Sequence, residues 1–161
     1  MTRNACTRWS QSRKLARGKV KEATDSIMQA QSAAASIRPE RRAAARAEIA
    51  GAQAAAGLAS DSAAGVDEAR EALAKQTRPS ERDPISAAIA LALARSEQIP
   101  KAIELALTLS SEIDRSSSLE DIADDEAAAK NYGDALRAVL SIPIDDRRTN
   151  LMIELAAKAP S

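Results

Sequence analysis

No histidine occurs anywhere in the 161 residues, which removes the commonest general base, any Ser/His or Cys/His nucleophile and any Cys/His metal set. Carboxylates, guanidinium groups and a single thiol remain. Asp124-Asp125-Glu126 places three acids side by side, but neighbouring residues on a helix point in different directions, so the run reads as a solvated face and not as a cation site. Gly51 and Gly57 lie in an alanine tract with no preceding strand and no Lys-Ser/Thr, so no phosphate loop is expected. Cys6 is alone, which rules out an intrachain disulfide and is compatible with a reducing compartment. No catalytic residue, cofactor or metal site is expected, nor enzyme activity.

Charge is the other chemistry available. Met1 to Lys21 carries seven cations and no acid, whereas Asp83 to Ser161 carries 14 acids against 8 bases. A cation cluster is the electrostatic footprint of phosphate binding, so Arg13, Lys14 and Arg17 are candidate contacts to an anionic partner, either nucleic acid or an anionic membrane surface. Only Trp9 interleaves the cluster, so base stacking is unsupported. Arg42, Arg82, Arg115 and Arg148 each stand seven positions before an Ile or Leu of their own helix, near acids such as Glu81, Asp114 and Asp145. That spacing predicts a ladder of turn-stabilising ion pairs, with a row of carboxylate-gripping forks as the alternative.

The elements that would hold these groups are clearest from Leu119 to Ile142. Leu119, Ile122, Ala123 and Ala127 form one apolar helical stripe, Lys130-Asn131-Tyr132-Gly133-Asp134 supplies a turn, and Ala135, Leu136, Val139 and Leu140 form a second stripe that stops before Pro143. Helices this short are marginal alone, so they must bury their stripes on neighbours. Ile89, Ala90, Ala94, Ile99, Ala102, Ala106 and Leu109 are matched 33 positions later by Ile122, Ala123, Ala127, Tyr132, Ala135, Val139 and Ile142. Going backwards, Arg42 and Ile49-Ala50 match at a step of 40 while Val66, Ala69 and Leu73 return to 33, so a longer loop is expected over Gly57 to Gly65. Such periods built on helix pairs signal a solenoid.

Ile122-Ala123, Asn131-Tyr132, Ala135, Val139 and Ile142 resemble the tetratricopeptide repeat pattern, and the resemblance spans about Pro39 to Lys158. It departs from that pattern in its period of 33, in lacking an aromatic on the first helix, in Ala106 where a bulky ring is expected, and in Lys130 where the turn Gly should be. The resemblance implies an all-α fold, an α-solenoid of antiparallel helix pairs, that acts as a protein-interaction scaffold. A peptide or helix would lie on the concave face formed by the first helix of each unit, where Ser86, Leu93, Glu126 and Tyr132 are the candidate contacts. HEAT-like helix pairs fit nearly as well.

The remaining segments divide the chain into a basic N-terminus (1–9), an N-terminal helix (10–37) and the repeat domain (38–161). Trp9, Ala16, Ala23, Ala30 and Ile37 are seven apart, with Val20, Ile27 and Ala34 as the second seam, which predicts one helix from about Ser10 to Ser36 despite Gly18. The acid-free, Ser-containing start also looks like an organelle transit peptide. Pro39 opens the next helix, and Pro84 and Pro100 open the two after the polar stretch Thr77 to Asp83. About a quarter of the residues are Ala, so helices approach closely while each contact contributes little. β-branched residues never alternate over a strand's length, and no sheet is expected. No apolar run approaches the roughly 18 residues a span requires, which makes a soluble, cytoplasmic protein the expectation. Leu151, Met152, Ile153 and Leu155 on the helix Asp145 to Lys158 either close the stack or offer an apolar surface to a partner, including a second copy.

Overall fold

The computed structural model describes residues 21–158, and every regular element among them is a helix. Helix α1 occupies residues 21–36. It is followed by α2 (Pro39–Ala55), α3 (Ala59–Ala74), α4 (Pro79–Arg95), α5 (Ile99–Leu107), α6 (Glu112–Ala128), α7 (Tyr132–Leu140) and α8 (Asp145–Lys158). The expected helix from about Ser10 to Ser36 therefore ends where its heptads end, while residues 1–20, with Trp9, Arg13, Lys14 and Arg17, lie outside the described residues.

Helix boundaries follow a strict arithmetic. Helices α2, α4 and α6 are each 17 residues long. The turns after them, 56–58, 96–98 and 129–131, are all of one length, and so are the longer connectors 75–78, 108–111 and 141–144. The one irregularity is α3, with 16 residues against 9 in α5 and in α7. The expected long loop over Gly57 to Gly65 is thus corrected, because residues 59–65 are helix. Ala59, Ala63 and Ala64 favour helix, and Asp61 complements the positive helix start. The seven extra residues make about two turns, which keeps Ser62, Val66 and Ala69 in phase on one buried face. A second correction concerns Pro84, which lies inside α4 because Pro79 already supplies the first-turn proline.

The short turns close in one way. At the first, the Leu58 amide donates to the Gln53 carbonyl at 2.8 Å and the Gly57 amide to Ala54 at 2.9 Å. Gln98 to Leu93 (2.9 Å) with Glu97 to Ala94 (2.8 Å), and Asn131 to Glu126 (2.8 Å) with Lys130 to Ala127 (3.0 Å), repeat the pair. This is a Schellman closure, and it needs a left-handed residue. Gly57 takes it at φ 79°, whereas Glu97 (61°) and Lys130 (67°) take it with a side chain, at a cost of roughly 1–2 kcal/mol each.

Three of the four recurring arginines bond carbonyls at the helix ends before them, two of these in the longer connectors, and not as an ion-pair ladder. Arg115 Nη1 donates to the Leu109 carbonyl at 2.8 Å, Arg148 Nη1 to Ile142 at 2.9 Å, and Arg42 Nη2 to Ala35 and Ile37 at 3.0 Å each. Each cation meets carbonyls left open where the preceding helix ends, at the negative end of its dipole. Only Arg148 adds a carboxylate, Asp145, and Arg82 is exposed.

Packing runs between neighbours in the chain. Helix α2 rests on α3 and α4, α4 on α5 and α6, and α6 on α7 and α8, while α2 does not meet α6 and α4 does not meet α8. Partners joined by three residues and packed together run antiparallel. The bulky interior is Ile85, Ile89, Leu119, Ile122, Val139 and Ile142, while α2 and α3 contribute Ala43, Ala47, Ala50, Val66 and Ala69. Gly65 is required there, since a Cβ on it would fall 2.9 Å from the Ala50 Cβ.

Candidate functional site

The first helices meet through one strong polar contact and one gap. Arg95 near the end of α4 grips Asp125 of α6 with Nε at 3.1 and 3.2 Å and Nη2 at 2.8 Å, a two-pronged pairing of half-buried groups. Arg95 also crosses α2, because a Cβ on Gly51 would stand 3.3 Å from its Nη1. One guanidinium therefore spans three consecutive first helices.

Two turns toward the helix starts, α4 and α6 part around a cleft of about 510 Å³. Its origin is legible in the residues. Ser118 stands at the position held by buried Ile85 one step earlier and buried Leu151 one step later, so a hydroxymethyl group occupies a place that both flanking units fill with a bulky side chain. Pro84, Ala87 and Leu109 form the apolar wall, and Asp83, Asp114 and Asp121 supply carboxylates. Asp83 is held by the Ser110 amide at 3.1 Å and by the Ser110 hydroxyl. Asp114 and Asp121 are exposed and enter no ion pair among the described residues. Although Asp121 is exposed as a residue, partial desolvation of its carboxyl by the surrounding helices raises it above its ordinary value, and the neighbouring Asp124 charge raises it further.

Pro84 has no amide to give to the Ser80 carbonyl four residues back, and both residues line the cleft. Ser118, only 6 % exposed, lines the cleft as well. No Lys or Arg is among the described lining residues, but Arg115 Nη1 donates to the Leu109 carbonyl at 2.8 Å and Arg147 Nη1 to the Ser117 hydroxyl at 3.0 Å. Ser116, two residues before Ser118, is fully buried with its hydroxyl unpartnered among the described residues.

Sequence reasoning named other residues. Ser86 and Leu93 are buried, Tyr132 is half-buried against the core, and Glu126 is 5 % exposed with Oε2 accepting from Asn131 Nδ2 at 2.8 Å. Burial raises the Glu126 carboxyl; the Asn131 bond opposes this, and Asp134, Asp125 and Glu97 add to it. These four side chains line the inside of the helix pairs and are not gathered around the cleft. What reasoning missed, Asp83, Asp114, Asp121 and Ser118, carries one signal: Ser118 interrupts an apolar position held by Ile85 one step earlier and Leu151 one step later. Arg13, Lys14 and Arg17 lie outside the described residues.

Elsewhere, a groove of about 580 Å³ separates α1 from α2 and α3, with Met28, Arg42, Arg46, Ile49 and Gly65 along it. Leu151 and Leu155 of α8 are buried on α6 and α7, whereas Met152 and Ile153 face solvent. Among the described residues no group of three or more acids or cysteines is disposed to hold a metal ion, and no helix is long and apolar enough to cross a membrane. No protein-family profile, curated protein or solved structure matches the chain.

Proposed function

We propose that the chain is an α-solenoid of stacked helix pairs, similar to tetratricopeptide repeats, whose first-helix face serves as a scaffold for a peptide or helix of another protein. Supporting the solenoid are the uniform turns, the 17-residue first helices and packing confined to near neighbours. The observation that carries the binding role is the cleft between α4 and α6, opened by a serine where the flanking units place Ile and Leu. A helix stack selected for stability alone would fill that position, as α8 does with Leu151.

Peptide selection from a random displayed library against the full chain tests this, followed by amide chemical-shift mapping. Selected peptides are expected to perturb residues 80–87 and 114–121. Ser118→Leu, which fills the gap with the side chain tolerated at the equivalent step, is expected to leave the helical signal unchanged and to weaken those peptides at least about tenfold. Peptides that map to other surfaces and ignore Ser118→Leu would contradict the reading.

A further inference from the structure

Helix α8, the last described helix, carries an apolar stripe that no other described helix covers. Thr149, Met152, Ile153 and Ala156 follow one another at i, i+3, i+4 and i+7, so they share one face, and all four are exposed, Met152 at 41 % and Ile153 at 65 %. The 33-residue step relates that face to a buried one. Met152 and Ala156 stand where α6 places Leu119 and Ala123, which are 0 % and 3 % exposed, and α6 packs on its antiparallel mate α7. These are positions that a first helix buries when it has a mate.

The stripe is its own complement. Laid antiparallel on a copy of itself and centred between Met152 and Ile153, it sets Met152 against Ile153 and Thr149 against Ala156, twice over. The same register brings exposed Asp146, in the first turn of α8, within one residue of exposed Lys158, in the last turn of the other copy. It also sets the positive start of each helix beside the negative end of the other.

We propose that α8 is a self-association surface, on which α8 of a second copy lies antiparallel and takes the place that a second helix takes on α2, α4 and α6. The pair is two-fold symmetric and closed, so association stops at the dimer. This inference uses the stacked-pair register and is independent of the cleft between α4 and α6. Four residues from each copy make a small contact, so a dissociation constant of roughly 10–100 µM is expected.

Sedimentation velocity of the full 161-residue chain over about 5 to 500 µM tests it. The mass is expected to rise from the 17.0 kDa of one chain to twice that and no further. Met152→Ser/Ile153→Ser is expected to weaken the dimer at least about tenfold. Both positions are exposed, so an unchanged helical signal shows that the fold persists. Charge reversal reads the register: Asp146→Lys and Lys158→Glu are each expected to weaken association severalfold, and their combination to restore it to within about twofold. Twelve residues separate the two positions on one helix, about 18 Å, so such rescue arises only between copies. A chain that stays monomeric throughout would overturn the proposal, as would oligomers growing past the dimer, which mean a head-to-tail contact. A dimer indifferent to Met152→Ser/Ile153→Ser, or charge reversals whose losses simply add, would overturn it too.

Discussion

The pair α2–α3 and the pairs α4–α5 and α6–α7 share turn lengths and first-helix lengths, yet they are held together differently. In the later pairs Ile85, Ile89, Leu119, Ile122, Val139 and Ile142 fill the space between helices. In the earlier pair the space is removed instead, by Ala43, Ala47 and Ala50 and by Gly65 set against Ala50. Small residues bury little apolar area, and the longer α3 makes up part of the deficit with two extra turns of contact on α2. The same backbone plan thus tolerates two packing solutions, one by volume and one by proximity.

Equivalent substitutions separate the two. Ile122 is fully buried and Ile49, at the matching position of α2, is half-buried on the groove beside α1. Ile122→Ala is expected to cost about 3–5 kcal/mol in urea unfolding and Ile49→Ala about half as much or less. Equal costs would erase the distinction. Gly65→Ala probes proximity: helix propensity favours Ala by about 1 kcal/mol, but the added methyl meets the Ala50 Cβ, and overpacking of about 1–3 kcal/mol should win. The double variant Gly65→Ala/Ala50→Gly is expected to recover part of the loss, and strict additivity would show that the two positions do not touch.

Turns sharpen the comparison at a smaller scale. Gly57 serves the earlier pair without strain, whereas Lys130 holds a left-handed backbone with a side chain. Lys130→Gly should raise stability by about 0.5–1 kcal/mol and Gly57→Ala should lower it by a similar amount, read from denaturation midpoints. The smallest effect concerns Glu126, whose place is taken by Gln53 in α2 and Leu93 in α4. Its carboxyl is raised in the folded state, so its contribution to stability is complete below the unfolded value near pH 4.5 and is lost as pH rises through the folded one. Glu126→Gln is therefore expected to stabilise by less than about 1 kcal/mol at pH 7, with the difference vanishing on acidification. A gain that grows toward low pH would reverse the assignment.

Much of the helical plan was legible because periodicity and proline placement are local properties. The heptads ending at Ile37, the turn at Lys130-Asn131 and the span of α8 all follow from residue order. What misled was the unit of insertion: a seven-residue excess next to Gly57, Ser60, Ser62 and Gly65 looks like loop. Gly65 is there for a neighbour 15 residues back in the chain, which no local pattern reveals. Ser86, Leu93 and Glu126, which the resemblance assigns to the concave face, are buried, because whether a helical residue faces a groove or a partner helix depends on how pairs are stacked. The cleft was written as an absence, one serine at 118 where the flanking units carry Ile85 and Leu151, and an absence is visible only against those units.

The most direct test of the stacked-pair account is to insert a second copy of residues 79–111 after Ser111. If each pair relies only on its neighbours, the chain should fold with added helical signal from one 17-residue and one 9-residue helix, and should unfold in a single transition at a higher urea midpoint. A chain that loses its cooperative transition on receiving the extra pair would show that the helices are organised around one closed centre, and the account would be wrong.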